Sequence, residues 1–174
     1  MKNEKKSARK HLAIILDIDE TSLSNYKDLK ALGFGGTPQM QNTAEGRADD
    51  PAIMPTLKLY RFAIKHGISV FFITGRTESF RKSTIKNLVS TGYRDVMNAT
   101  QACEDSGSVS PACNLYLRNG KYLNTSAIPY KTEMRRKITK AGYTIIANIG
   151  DQYSDLAGGY SLRTYKSDYM YYIP

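Results

Sequence analysis

An α/β fold with a mostly parallel central sheet is predicted for this chain of 174 residues. Two observations predict it. Short apolar runs alternate with segments of helical spacing, and the polar turns that follow two of those runs are crowded with aspartates. The length suits one domain with a sizeable buried core. A content of 41% apolar and 24% charged residues excludes a disordered chain.

The elements follow in order. His11 to Ile18 (HLAIILDI), Ile68 to Thr74 (ISVFFIT) and Tyr143 to Ile149 (YTIIANI) read as strands buried on both faces, because they are apolar throughout rather than alternating. Pro55 to His66 places Leu57, Tyr60, Ala63 and Ile64 at helical spacing. Pro55 suits the first turn and Gly67 the position just past the end. Glu78 to Ser90 puts Phe80, Ile85, Leu88 and Val89 on one face and stops at Gly92, and Lys131 to Ala141 is a basic helix closed by Gly142. Two segments break the rhythm. Residues 25–50 hold a glycine-rich excursion from Gly33 to Asp50. Residues 99–126 read as an irregular insertion with a hairpin of Asn114–Arg118 and Lys121–Asn124 about Asn119-Gly120. Residues 1–11 form a basic lead-in, and 12–174 a single domain.

Lys and Arg number 25 against 16 Asp and Glu, a net charge of +9 that points to an anionic partner. Its distribution narrows the class. Residues 1–10 carry five basic residues against Glu4, and residues 131–140 carry five against Glu133, so the remaining body is nearly neutral. A continuous basic stripe for a nucleic acid duplex is absent. No run approaches the roughly 18 apolar residues of a membrane span. Met1 to Lys10 lacks the apolar core of an export signal, so an exported protein would have its leader outside this chain.

Asp17, Asp19 and Glu20 follow the first strand, and Asp151 and Asp155 follow the third. The carboxyl ends of parallel strands form the ligand crevice of such sheets. Acids crowded there repel unless a cation or a proton compensates. A lone aspartate in such a place is an ordinary turn former or helix cap. Two Asp-rich strand ends together argue for one cluster around a divalent ion, and an all-oxygen set with few protein ligands suits Mg²⁺. Thr74-Gly75-Arg76 ends the second strand, where a hydroxyl and backbone N–H groups can cradle an anion or simply cap a turn. Lys131 heads the basic helix, where it opposes the helix dipole unless it points at an anion; otherwise it is a solvated surface lysine. An aspartate nucleophile, a metal, a phosphate cradle and a lysine clamp together describe phosphoryl transfer.

The order of these motifs resembles the haloacid dehalogenase (HAD) superfamily of phosphohydrolases. The motifs are Asp17-Ile18-Asp19-Glu20-Thr21, then Thr74-Gly75-Arg76, then Lys131 within Tyr130-Lys131-Thr132-Glu133, then Gly150-Asp151-Gln152-Tyr153-Ser154-Asp155-Leu156. The longer strings LDIDETSLSNY, FFITGR, YKTEMRRK and GDQYSDLAGG resemble its subfamily IIIB, the class B acid phosphatase branch that includes bacterial surface acid phosphatases and plant vegetative storage proteins. The ending Tyr169 to Pro174 is similar too, and the likeness spans residues 12–174. The resemblance implies a HAD-like Rossmannoid three-layer sandwich with small cap insertions. It implies a Mg²⁺-dependent acid phosphatase acting on small phosphate monoesters (nucleotide, sugar or aryl). Asp17 would be the nucleophile that forms an aspartyl-phosphate, and Asp19 the acid and then the base. Thr74, Gly75 and Lys131 would hold phosphate oxygens. Asp17, Asp151 and the backbone carbonyl of Asp19 would bind the metal, with Asp155 behind them orienting its water. The resemblance also implies a secreted, periplasmic or cell-surface location, and it is compatible with a homodimer.

A storage-only relative that lost its nucleophile need not keep an aspartate at position 17, and this chain has both Asp17 and Asp19. A phosphotransferase using the same intermediate and a non-catalytic storage or binding protein are the alternatives. Cys103 and Cys113 read as free thiols or a loop disulfide, and the export implied by the resemblance favours the disulfide. Six tyrosines between Tyr153 and Tyr172 either stack on a leaving group or pack a carboxy-terminal strand and tail. Tyr26, Phe34 and Met40 are candidates to border the leaving-group pocket.

Overall fold

The three apolar runs become neighbouring strands of one sheet. This computed structural model describes residues 11–35, 43, 46–99, 103 and 106–167. Strands β1 (His11–Leu16), β2 (Ser69–Thr77), β3 (Leu115–Arg118), β4 (Tyr143–Gly150) and β5 (Thr164–Lys166) pair in the order β3-β2-β1-β4-β5, all parallel. The helices are α1 (Tyr26–Ala31), α2 (Met54–Lys65), α3 (Arg81–Thr91), α4 (Ala127–Lys140) and the single turn α5 (Tyr153–Leu156). The alternating side chains of the strands build two cores. Ile14, Leu16, Val70, Phe72 and Leu117 face Leu57 and Tyr60 of α2 and Leu88 of α3. Ala13, Ile15, Phe71, Ile73 and Ile145 face Tyr130, Met134 and Ile138 of α4 on the opposite side. Three layers result, as a sheet buried on both faces requires.

The helix ends match the expected punctuation. Pro55 lies in the first turn of α2, and Gly67 beyond it has φ +69°. Gly92 closes α3 at φ +110°, where a Cβ would also meet Arg61 Nη2 at 3.1 Å. Three expectations need correction. The helix carrying Lys131 begins four residues earlier, at Ala127, because Ser126 caps it by accepting the Ile128 N–H at 3.1 Å. The helix after β2 opens as a 3₁₀ turn over Glu78–Phe80 before becoming α-helical. The hairpin about Asn119-Gly120 does not form. Leu115, Tyr116 and Leu117 are buried and pair in parallel with β2, with the Asn114 carbonyl accepting the Phe72 N–H at 2.7 Å, while Gly120–Tyr122 is a 3₁₀ turn. An open edge of the main sheet offers this apolar tripeptide more burial than a two-stranded ribbon can. Cys103 and Cys113 are joined as a disulfide with a Cα–Cα distance of 5.3 Å. No helix among the described residues is long and apolar enough to cross a membrane.

Candidate active site

Strand order reverses between β1 and β4: from β1 the chain moves outward to β2 and β3, then returns to lay β4 on the other side of β1. The carboxyl ends of these two strands flank the crevice that such a reversal opens. Asp17 leaves β1 there, its N–H bonded to the Ile149 carbonyl at 3.0 Å, and Asp151 leaves β4 beside it. The chain after Asp17 turns sharply. The N–H groups of Ser22 and Leu23 return to the Ile18 carbonyl, Glu20 has φ +54°, and the Ser22 hydroxyl donates to the Asp17 carbonyl at 2.6 Å.

Asp17, Asp151 and Asp155 are all buried and offer carboxylate oxygens within 4.8 Å of one another. Lys131 reaches in from the second turn of α4. Its Nζ lies 2.6 Å from Asp17 Oδ1 and also bonds Asp155 Oδ1. The other oxygen of Asp155 accepts the Gln152 N–H at 2.8 Å. Gly150 makes this approach possible, since a Cβ there would stand 2.3 Å from Asp155 Cβ. Burial, with Asp155 and Asp19 nearby, raises the Asp17 carboxyl well above its usual range despite the pull of Lys131. Burial disfavours the charge on Lys131, but Asp17 and Asp155 outweigh it and keep the ammonium protonated.

Asp19 turns the other way. Its carboxylate takes both Nε and Nη2 of Arg76, at 3.0 Å and 2.7 Å to Oδ1, and accepts from Asn25 Nδ2 at 2.6 Å. Burial opposes its ionisation, and Arg76 and Asn25 overcome that and bring the carboxyl below its usual range. The buried Thr74 hydroxyl accepts the Arg76 N–H at 3.1 Å and lies 3.5 Å from Asp19 Oδ2. A cavity of about 100 Å³ opens between Asp17 and Asp19 on one wall and Lys131 and Asp155 on the other, with Gly75, Ala127, Gln152 and Ser154 also at its surface. Asp17, Asp19, Asp151 and Asp155, with Lys131 and Gly75, therefore converge on one place, with Thr74 beside Asp19, whereas Glu20 turns aside to accept the Asn25 N–H.

Of the aromatic candidates, Tyr26 and Phe34 lean on each other at 6.1 Å and do not line this cavity. Tyr153 is 78% exposed with Lys166 Nζ over its ring at 5.7 Å, and it does not line the cavity although its neighbours Gln152 and Ser154 do. Met40, Tyr169, Tyr171 and Tyr172 lie outside the described residues. Four contributors carried no signal of their own: Asn25, Arg76, Asp50 and Asn87. Arg76 Nη2 lies 3.5 Å from Asp50 Oδ2, and Asn87 clips the Asp50 backbone by accepting its N–H at 3.1 Å and donating to its carbonyl at 2.7 Å.

Burial pushes the Asp50 carboxyl up to about 6 against the pull of Arg76. The folded protein thus keeps a proton that the unfolded chain releases nearer pH 3.8, so this contribution to stability is full below that value and lost as pH rises through about 6. Wild-type thermal midpoints should decline across that window relative to those of Asp50→Asn. Parallel midpoint-versus-pH curves for the two proteins would contradict this.

Over residues 1–174 the chain matches the family described as HAD superfamily, subfamily IIIB (Acid phosphatase). The chain belongs to this family. Among curated relatives of this subfamily IIIB chain, Acid phosphatase 1 of Solanum lycopersicum is 34% identical over 165 residues, covering 91% of the chain and 58% of that protein. Vegetative storage protein 1 of Arabidopsis thaliana is 29% identical over 170 residues, covering 92% and 55%. The chain thus spans somewhat over half the length of these relatives. The Class C acid phosphatase from Bacillus anthracis superposes with a TM-score of 0.63 at 24% identity, over 88% of this chain and 56% of that one, which establishes the shared fold. The five-stranded parallel sheet flanked by helices is the HAD-like architecture of subfamily IIIB.

Proposed function

We propose that this chain hydrolyses small phosphate monoesters by passing the phosphoryl group to Asp17 and then to water. The observation that carries the reading is the placement of two aspartates two residues apart. Asp17 shares the Lys131 ammonium with Asp155, while Asp19 is turned across the same cavity and held by Arg76. A carboxylate nucleophile and an anionic phosphate repel each other. Lys131 and the first turn of α4, whose Ala127 lines the cavity, reduce that repulsion. Backbone at Gly75 offers a second side of the cradle. In the first step an Asp17 oxygen attacks phosphorus and the ester P–O bond breaks; Asp19, which Arg76 holds ionised in the free protein, takes the proton of the monoanionic ester and passes it to the departing oxygen. In the second step Asp19 takes a proton from water as that water attacks the phosphorus, which releases inorganic phosphate and frees Asp17.

The donor set fits a divalent cation. Three buried carboxylates converge within 4.8 Å, and the Lys131 ammonium pairs with two of them, Asp17 and Asp155. Asp17, Asp151 and the Asp19 carbonyl would hold Mg²⁺, with Asp155 orienting its water. Such an ion supplies Lewis-acid neutralisation of phosphate charge. The Cys103–Cys113 disulfide supports export to an oxidising compartment. The presence of both Asp17 and Asp19 at one cavity favours catalysis over the storage role carried in one relative's name.

The test is a panel of nucleotide, sugar and aryl phosphates with Mg²⁺ or with chelator. Mg²⁺-dependent phosphate release is expected. An added acceptor alcohol should leave inorganic phosphate as the main product; diversion to a new ester identifies a phosphotransferase. No phosphate release from any ester with Mg²⁺, at acidic or neutral pH, overturns the reading.

A further inference from the structure

Arg135 lies one helical turn beyond Lys131 on α4 and is fully buried. Among the described residues no carboxylate forms an ion pair with it; its guanidinium is spent on main-chain carbonyls. Nε donates to the Gly159 carbonyl at 2.9 Å, Nη1 to the Asp155 carbonyl at 2.7 Å, and Nη2 to the Ala157 carbonyl. The loop that presents these carbonyls is unusual. Gly158, Gly159 and Tyr160 follow one another at φ +89°, +76° and +68°. A Cβ at Gly158 would stand 2.0 Å from Thr132 Oγ1, so the loop is pressed onto the same helix. Asn148 Nδ2 donates to the Asp155 carbonyl as well, at 2.9 Å.

A desolvated guanidinium is costly unless its donors are met, and a planar fork meets separated acceptors that a lysine ammonium cannot reach together. The burial of this cation therefore accompanies a loop wound to receive it. The consequence reaches the cavity through Asp155. Lys131 grips that residue by its carboxylate and Arg135 grips it by its carbonyl, from successive turns of one helix. We infer that Arg135 is a positioning residue. It fixes the Asp155–Gly159 loop so that the Asp155 carboxylate stays with Lys131, Lys131 stays on Asp17, and the three-acid cluster keeps the spacing a divalent ion needs. This inference rests on the metal-dependent phosphatase reading.

The test compares wild type, Arg135→Met, Arg135→Lys and Ile138→Ala. The last removes a fully buried core side chain one turn further along α4 that touches none of these carbonyls. Two readouts are taken: the Mg²⁺ concentration that half-saturates the Mg²⁺-induced rise in thermal midpoint, which needs no turnover, and kcat against KM for an aryl phosphate. Arg135→Met should weaken Mg²⁺ by about 10–100-fold and lower kcat on the same scale, with a much smaller change in KM. Arg135→Lys should fall between it and wild type. Ile138→Ala should lose thermal stability while keeping the wild-type Mg²⁺ response. If Arg135→Met does not fold, Asn148→Ala removes the other donor to the Asp155 carbonyl and should shift the Mg²⁺ response in the same direction. A folded Arg135→Met with the wild-type Mg²⁺ response overturns the inference, as does an equal shift in Ile138→Ala or the absence of any Mg²⁺ response in wild type. A wild-type protein that responds to Mg²⁺ but hydrolyses no ester instead overturns the phosphatase reading, and the Arg135 comparison still decides its own question.

Discussion

Asp17→Asn should lower phosphate-ester hydrolysis by at least about 10⁴-fold, because a carboxamide is no nucleophile and the remaining groups can only bind and polarise. Asp19→Asn should cost about 10²–10⁴-fold, the usual worth of a positioned acid and base. The two defects differ in kind. An aryl ester with an electron-poor phenol leaves without protonation. Asp19→Asn should therefore release a burst of up to one phenolate per chain as Asp17 is phosphorylated, then stall for want of a base. A sugar phosphate, whose alkoxide needs the proton, should give no burst. Asp17→Asn should give none with either ester. Rapid-mixing measurements of phenolate release separate these outcomes, and near-wild-type turnover by Asp17→Asn sinks the assignment of Asp17.

Lys131→Met should unfold about 3–5 kcal/mol more easily than wild type in metal-free neutral buffer. Removing one partner of a buried ionic cluster leaves the others without compensation. Lys131 and its two partners, Asp17 and Asp155, are each less than a tenth exposed, so solvent offers little relief. Two manipulations should narrow the gap. Lower pH protonates Asp17, whose carboxyl is already held above its usual range by burial. Added Mg²⁺ replaces the missing positive charge. Urea unfolding at pH 7 and pH 5, with and without Mg²⁺, measures all of this. Wild-type stability of Lys131→Met in metal-free neutral buffer counts against the compensation argument.

What the sequence disclosed, and what it hid, follows from how each residue is held. The acids at 17, 19, 151 and 155 were legible because strand ends are visible in sequence and acidic crowding there has few innocent explanations. The strand Leu115–Arg118 was legible as an extended segment, but its partner was not. It is short, sits in a glycine- and proline-marked stretch, and takes its register from an edge supplied by β2, more than forty residues earlier. Arg76 read as the third letter of a turn, although it holds Asp19 across 57 residues. The basic helix misled in another way. Five cations in ten residues suggest a charged surface, yet Lys131 and Arg135 are buried and Arg136 pairs with Glu133 at 2.5 Å. Only Lys137 and Lys140 of that group are exposed. Charge counted along a chain does not say which charges remain for a partner.

The reversal of strand order has a consequence for when this molecule can act. Asp17 follows β1 and Asp151 follows β4, and the two meet only because β4 docks against β1 with Asp17 N–H on the Ile149 carbonyl. A nascent chain that has emerged as far as α4 already contains β1, β2 and β3, so β1 can pair with β2 and β2 with β3. It still lacks the second half of its acid cluster. On the proposed phosphatase reading, competence would arrive late in biosynthesis, with the longest-range pairing in the sheet. A chain cut short before β4 should then be silent toward phosphate esters however well its early half has folded.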